Sequence, residues 1–174
     1  MKIKRIWCMP NANTFSIKPI KQLLEEEVSP IKENGGIIID PFARNSRAFS
    51  TVTNDLNPIF DTDYHEDAYD FLKRFDDNSV DIVLYDPPYS LRQVSESYQN
   101  VGISVTAKMT SANWRRKHLD EIQRVLKPKG KAICFGWNSN GVGKKRNFVL
   151  DEVLLVAHGG SHNDTIVTVE TKNN

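Results

Sequence analysis

Apolar residues recur along this chain with two different periods, and the alternation between them sets out the elements. From Ser16 to Val28 ("SIKPIKQLLEEEV"), Ile20, Leu23, Leu24 and Val28 fall three or four positions apart. That spacing predicts a helix with Ser16 at its N-cap. Asn34-Gly35-Gly36 breaks it, and the apolar run Ile37 to Ile39 predicts a strand ending at Asp40-Pro41. A short strand around Thr51-Val52-Thr53 ends at Asn54-Asp55, with Asn57-Pro58 as a stop. "DAYDFLKRF" (67–75) predicts a second helix and Val80 to Tyr85 a β-branched strand. Leu91 to Asn113 is polar and reads as irregular. Trp114 to Leu126 predicts a helix whose Leu119, Ile122 and Leu126 share a face, stopped by Pro128-Lys129-Gly130. Lys131 to Trp137 reads as a strand and "NSNGVGKKRN" as a basic loop. Val149 to Ala157 and Thr165 to Glu170 read as strands joined by "HGGSHND", an antiparallel hairpin.

Strands that alternate with helices and then close on a hairpin predict an α/β protein with a mostly parallel sheet and an antiparallel edge. In such sheets ligands gather where strands end, near the point at which strand order reverses. The strand ends carry Asp40, Asp55, Asp86 and Trp137-Asn138, so the chemistry is expected there.

Composition changes this picture little, and charge changes it more. The length of 174 residues suits one core, and no repeat or low-complexity linker marks a boundary, so 1–174 reads as a single domain. No apolar run approaches the ~18 residues that span a bilayer, and "MKIKRIWCMPN" lacks a signal-peptide core. Cys8 and Cys134 are too few for a disulfide framework; a reduced thiol for Cys134 and a cytoplasmic setting follow. His158 and His162, without a cysteine pair, read as part of a polar turn, so no metal site is expected. Trp7 reads as a core residue. Residues 1–89 hold 10 Lys/Arg against 15 Asp/Glu, residues 90–148 hold 12 against 3, and residues 149–174 hold 1 against 4. A basic third in an otherwise acidic chain is the footprint expected of a polyanion-binding face, or else a solvated helix surface around Arg115-Arg116-Lys117.

"LYDPPYS" (84–90) is an unusual way to end a strand. A carboxylate and a rigidly held proline carbonyl can accept both N–H bonds of a planar aromatic amine. Gripping those bonds pulls the nitrogen toward tetrahedral geometry and frees its lone pair for attack. Tyr89 then offers a flat surface on which the ring can stack. A nucleobase reaches such a pocket only from a single strand or by leaving its duplex. The plain alternative is that Asp-Pro-Pro-Tyr merely terminates a strand.

"DPPY" (Asp86, Pro87, Pro88, Tyr89) resembles the catalytic motif of the DNA amino-methyltransferases, in the form more typical of enzymes acting on adenine N6 than on cytosine N4. "FSIKPIKQLL" (15–24) followed by "GGIIIDPFA" (35–43) resembles the paired segments that surround S-adenosylmethionine in that family. "RVLKPKGKAICFGW" (124–137) resembles the helix-turn-strand found late in class I methyltransferases. The resemblance implies a class I, Rossmann-like, S-adenosylmethionine-dependent methyltransferase fold and methyl transfer to adenine N6 in DNA. It further implies that Asp40, with Pro41 and Phe42 beside it, faces the methionine part of the cofactor. Lys18 would approach the cofactor carboxylate, Asp55 the ribose hydroxyls and Asp67 the adenine amino group. Asp67 reads equally well as a helix cap. RNA base methylation, or a nucleic-acid-binding module without cofactor, are the other readings.

Two departures stand out. Where the family has a glycine-rich "DPFxGSGT", this chain has "DPFARNSRAFS", with Arg44 and Ser46 at glycine positions. Either Arg44 or Arg47 replaces the lost backbone contacts by pairing with the cofactor carboxylate, or cofactor binding has decayed. The second departure is that no separate target-recognition domain fits in 174 residues. DNA, or RNA, is then expected to be gripped by Arg92, Lys108, Arg115, Arg116, Lys144, Lys145 and Arg146, flanking the pocket and contacting phosphate. A dimer would extend that surface. Small size and the absence of an attached domain match a phage or mobile-element enzyme.

Overall fold

A computed structural model describes residues 1–107, 109, 111 and 113–174, together with the backbone but not the side chain of Ala112. In chain order it contains β1 (Lys2–Trp7), α1 (Lys18–Glu33), β2 (Ile38–Asp40), β3 (Val52–Thr53), α2 (Ala68–Lys73), β4 (Val80–Tyr85) and α3 (Leu91–Gln99). These are followed by α4 (Ala112–Val125), β5 (Leu126–Gly136), β6 (Phe148–Ala157) and β7 (Thr165–Lys172). The strands form one sheet in the order β1-β6-β7-β5-β4-β2-β3. β5/β7 and β6/β7 are antiparallel, and every other pair is parallel.

Period-2 alternation divides the core into two layers. Ile38, Ile82, Leu84, Ile133 and Phe135 point to one face, where Ile20, Leu23, Leu24 and Val28 of α1 cover them. Their neighbours Ile39, Val83, Tyr85, Ala132 and Cys134 point to the other, against Phe71 and Leu72 of α2 and Leu119, Ile122 and Val125 of α4. Strands buried on both faces explain why these runs are apolar throughout rather than alternating with polar residues. Chain order reverses at β2: the chain steps outward to β3, then returns past β2 to β4 and onward to β5. The C-terminal ends of β2 and β4, which carry Asp40 and Asp86, therefore flank the switch point.

Three expectations need correction, and one strand was not expected at all. α1 starts at Lys18 with Ile17 at its N-cap, because Thr14–Ser16 forms a separate 3-10 turn capped by Asn13. Pro19 then fits the first turn, where a missing N–H costs nothing. The stretch after "DPPYS" is not irregular: α3 starts at Ser90 in a capping box, with the Ser90 hydroxyl accepting from the Gln93 N–H and Gln93 reaching back. Trp7 is 64% exposed, not a core residue, because it ends an edge strand. That edge strand, β1, is itself unexpected, pairing with β6 some 150 residues later in the chain. Among the described residues its outer edge has no strand partner, and Ile3 and Met9 stand exposed along or just beyond it.

Candidate active site

Two cavities open at the switch point, of about 390 Å³ and about 240 Å³. Thr14, Phe42, Arg44 and Asp86 line both, so the cavities meet at the end of β4. The larger is walled by the loop after β3 (Asp55, Asn57, Phe60), the start of α2 (Asp67) and α3 (Val94, Tyr98). The smaller lies against the segment before α1 and the loop after β2, with Asn13, Asn45 and Ser46 on its walls.

Asn54 holds this geometry together. Buried at the end of β3, it donates to the carbonyls of Pro41 and Glu66, both at 3.0 Å, and accepts the Glu66 N–H at 2.9 Å. One side chain thereby ties the loop after β2 to the entrance of α2. Asp63 adds a second tie, accepting from the Thr53 N–H at 2.8 Å and its hydroxyl at 2.7 Å.

Asp86 sits where the cavities join. One carboxylate oxygen accepts the Tyr89 hydroxyl, and the Thr14 hydroxyl is a further partner. Burial raises its pKa above the usual carboxylate range, against the opposing effect of those hydroxyls and of the Arg44 charge. Pro87 is buried and Pro88 and Tyr89 are half-buried; all line the larger cavity. Tyr89 does more than offer a flat surface. Its hydroxyl holds Asp86, and its ring meets Trp137 edge-on at 5.7 Å. Burial also raises the Tyr89 pKa, so the phenol remains a donor.

The other expected positions divide clearly. Asp55 lines the larger cavity, with Oδ1 accepting from Asn57 at 2.9 Å and Oδ2 from the Arg44 N–H at 3.1 Å. Its pKa is raised, chiefly by burial. Asp67 both lines the cavity and caps α2, accepting the Tyr69 N–H at 2.9 Å. Pro41 and Phe42 are lining residues too. Asp40 lines neither cavity: it is fully buried, with Oδ1 on the Phe42 N–H at 2.9 Å and Oδ2 lacking any partner among the described residues. Burial holds its carboxyl well above the usual range, and the charges of Asp86 and Asp55 add to that rise. Lys18 is exposed at the start of α1 and lines neither cavity.

Of the two arginines in the altered loop, Arg47 is held away by Asp61 and Asp63, whereas Arg44 faces both cavities. Arg44 has a left-handed backbone, φ 49°.

The basic residues divide into two groups: Arg92, Arg115 and Arg116 adjoin the cavity-lining residues Gln93 and Trp114, whereas Lys144, Lys145 and Arg146 lie elsewhere. Arg92 pairs with Glu96 on the exposed side of α3 and Arg116 with Asp120. Arg115 lies over the Tyr85 ring at 5.8 Å. Lys144, Lys145 and Arg146 immediately precede β6, whose first residue pairs with Lys172 beside the start of β5. They therefore sit at the edge of the sheet opposite Asp40 and Asp86, with Arg146 bound to Asp120 at 2.8 Å. The connection from β5 to β6 runs back along the molecule, which sequence order alone does not show. Lys108 lies outside the described residues.

Sequence reasoning missed a network at the far wall of the larger cavity. The Tyr98 hydroxyl donates to Asp67 and accepts the Trp114 indole N–H at 2.9 Å. Behind Trp114, His118 hydrogen-bonds the Tyr85 hydroxyl at 3.0 Å, and burial lowers the His118 pKa to about 4. Thr14 was also missed. Only its place beside the resembling segment pointed to it, and nothing local marked Tyr98.

Strand order and layering define the class I S-adenosylmethionine-dependent methyltransferase fold. The 1,6-didemethyltoxoflavin-N1-methyltransferase of Burkholderia thailandensis, crystallised with 1,6-didemethyltoxoflavin and S-adenosylhomocysteine, shares it with a TM-score of 0.53 at 10% identity, over 88% of this chain and 78% of that one. In sequence, the chain is 30% identical over 133 residues to the type II methyltransferase M.BamHI of Bacillus amyloliquefaciens, covering 71% of this chain and 29% of that protein. It is 24% identical over 114 residues to the type II methyltransferase M2.MboI of Moraxella bovis, covering 62% and 37%. The chain thus spans only about a third of the curated relatives it matches. No protein-family model matches it.

Proposed function

We propose that this protein transfers a methyl group from S-adenosylmethionine to the exocyclic N6 of adenine in DNA. The observation that carries the reading is the position of Asp86, a half-buried carboxylate at the junction of two cavities on the switch point, followed by Pro87, Pro88 and Tyr89.

The lining fits such a donor. Phe42, Phe60 and Trp114 give apolar surface for a nucleoside, Asp55 and Asp67 give acceptors for its hydroxyl and amino groups, and the surrounding carboxylates favour a sulfonium cation. When bound, S-adenosylmethionine supplies an electrophilic methyl group. Asp86 accepts one N–H of the amine with the carboxylate lone pairs that Tyr89 and Thr14 leave unused, and the Pro87 carbonyl accepts the other. Tyr89 fixes the orientation of Asp86, so little reorganisation is needed at the moment of attack. Asp86 need not be a strong base, because the methylated ammonium is acidic. The similarity to two type II methyltransferases supports DNA as the substrate class.

Mass spectrometry of nucleosides from cells expressing the protein should show N6-methyladenine, lost with Asp86→Ala. Calorimetry should show that the variant still binds S-adenosylmethionine. N4-methylcytosine would move the target to the other base, and methylated RNA alone would move it to RNA. A wild-type protein that binds no donor at millimolar concentration would defeat the reading.

A further inference from the structure

We propose that Arg44 binds the carboxylate of the methyl donor's amino-acid tail, seating that tail in the smaller cavity. This rests on the donor identity proposed above.

Charge around the two cavities points to one place for an anion. The larger cavity is lined by Asp55, Glu66, Asp67 and Asp86, with Arg44 as its one cation among the described residues. An anion there would face carboxylates on several sides. The smaller cavity is lined by one carboxylate, Asp86, by the neutral polar side chains of Asn13, Thr14, Asn45 and Ser46, and again by Arg44. A zwitterionic tail therefore has its favourable orientation with the carboxylate toward Arg44 and the cationic centres toward Asp86.

The Arg44 side chain is poised for this contact. Its guanidinium carbon lies 5.5 Å from the Phe60 ring centre, and Nη1 donates to the Ala12 carbonyl at 3.3 Å. That carbonyl is the one hydrogen-bond acceptor of the guanidinium among the described residues, so N–H groups of the fork remain for a ligand. The backbone is fixed as well, by the N–H donated to Asp55.

The backbone itself argues that the side chain is retained for use. At φ 49° a glycine would be favoured, yet the position holds an arginine. Arg47, the other candidate, is occupied by Asp61 and Asp63.

Calorimetry on the full chain with two probes tests the assignment: S-adenosylhomocysteine, which has the carboxylate, and 5′-methylthioadenosine, which lacks the amino-acid tail. Arg44→Gly suits the left-handed backbone, so thermal melting should be unchanged or higher. Its affinity for S-adenosylhomocysteine should fall about 10- to 100-fold, while its affinity for 5′-methylthioadenosine stays within about threefold of wild type. Arg44→Lys, which keeps the charge but not the fork, should fall between. Equal losses for both probes, or no loss for S-adenosylhomocysteine, would overturn the proposal. So would an unchanged donor affinity with a raised KM for an oligonucleotide, which would make Arg44 a phosphate contact. If the wild type binds neither probe, the donor reading fails rather than the role of Arg44.

Discussion

Asp86 and Asp40 lie at the C-terminal ends of adjacent strands, and burial acts on the pKa of both, yet their partners differ. Asp86 has the Tyr89 and Thr14 hydroxyls, both of which lower its pKa against the dominant effect of burial. In Tyr89→Phe one of those opposing effects is gone. Asp86 will then hold its proton to higher pH, and the acid limb of the kcat/KM profile should move upward in pH, with the plateau itself lowered because the hydroxyl that orients Asp86 is gone. Asp40 has an oxygen with no partner, and its folded-state pKa is raised well above the ordinary value. The sign is therefore the reverse of a salt-bridged aspartate. Its favourable contribution is present below the unfolded pKa of about 3.9 and is lost as pH rises through the raised folded value. Asp40→Asn should consequently stabilise the fold by about 1–3 kcal/mol at pH 8 and by almost nothing at pH 4, as read from paired denaturant titrations.

At the level of elements, the site depends on how α3 begins. The Ser90 hydroxyl accepts the Gln93 N–H at 3.2 Å, while Gln93 accepts from the backbone of both Tyr89 and Ser90. The cap of this helix and the last residue of the motif are thus one hydrogen-bonded unit. Ser90→Ala should lower unfolding free energy by about 1 kcal/mol, measured by the urea midpoint. It should lower turnover as well, because Val94 and Tyr98 of the same helix wall the larger cavity. None of this was legible beforehand. α3 buries just Val94 and Tyr98, too few apolar residues in "LRQVSESYQ" to reveal a period. β1 was hidden for a related reason: "KIKRIW" is mostly exposed, and its partner lies at the far end of the chain. By contrast β4 came out with its exact bounds, and β2, α2, α4 and the β6–β7 hairpin within two residues; α1 came out with its buried face but runs on to Glu33 instead of ending at Val28. Those elements bury whole faces, and burial is what writes a period into a sequence.

For the whole molecule, charge was the property read least well from linear order. Residues 90–148 carry a strong positive excess, but the fold brings acids from elsewhere to meet it. Arg124 pairs with Asp77, Lys127 with Asp81 and Lys131 with Glu27. A run of like charge in the sequence is therefore not a patch in space. Because Lys144 and Lys145 lie at the edge of the sheet opposite the cavities, replacing both with Ala should change KM for an oligonucleotide by less than about threefold. The same measurement repeated across salt concentrations should give a slope no steeper than about −4 in log KM-derived affinity against log salt.

β1 carries a different kind of consequence. Two of its three cations, Lys2 and Lys4, are drawn inward to Glu152. Only Arg5 is left to ward off another chain from a ribbon that also displays Ile3 and Trp7. Cations on a rim strand normally act as gatekeepers against stacking between molecules; here most of that protection is spent on an internal partner. In concentrated stocks, clouding should start along this margin, well away from the cleft, so a preparation can lose solubility while every surviving molecule keeps its full ligand-binding capacity.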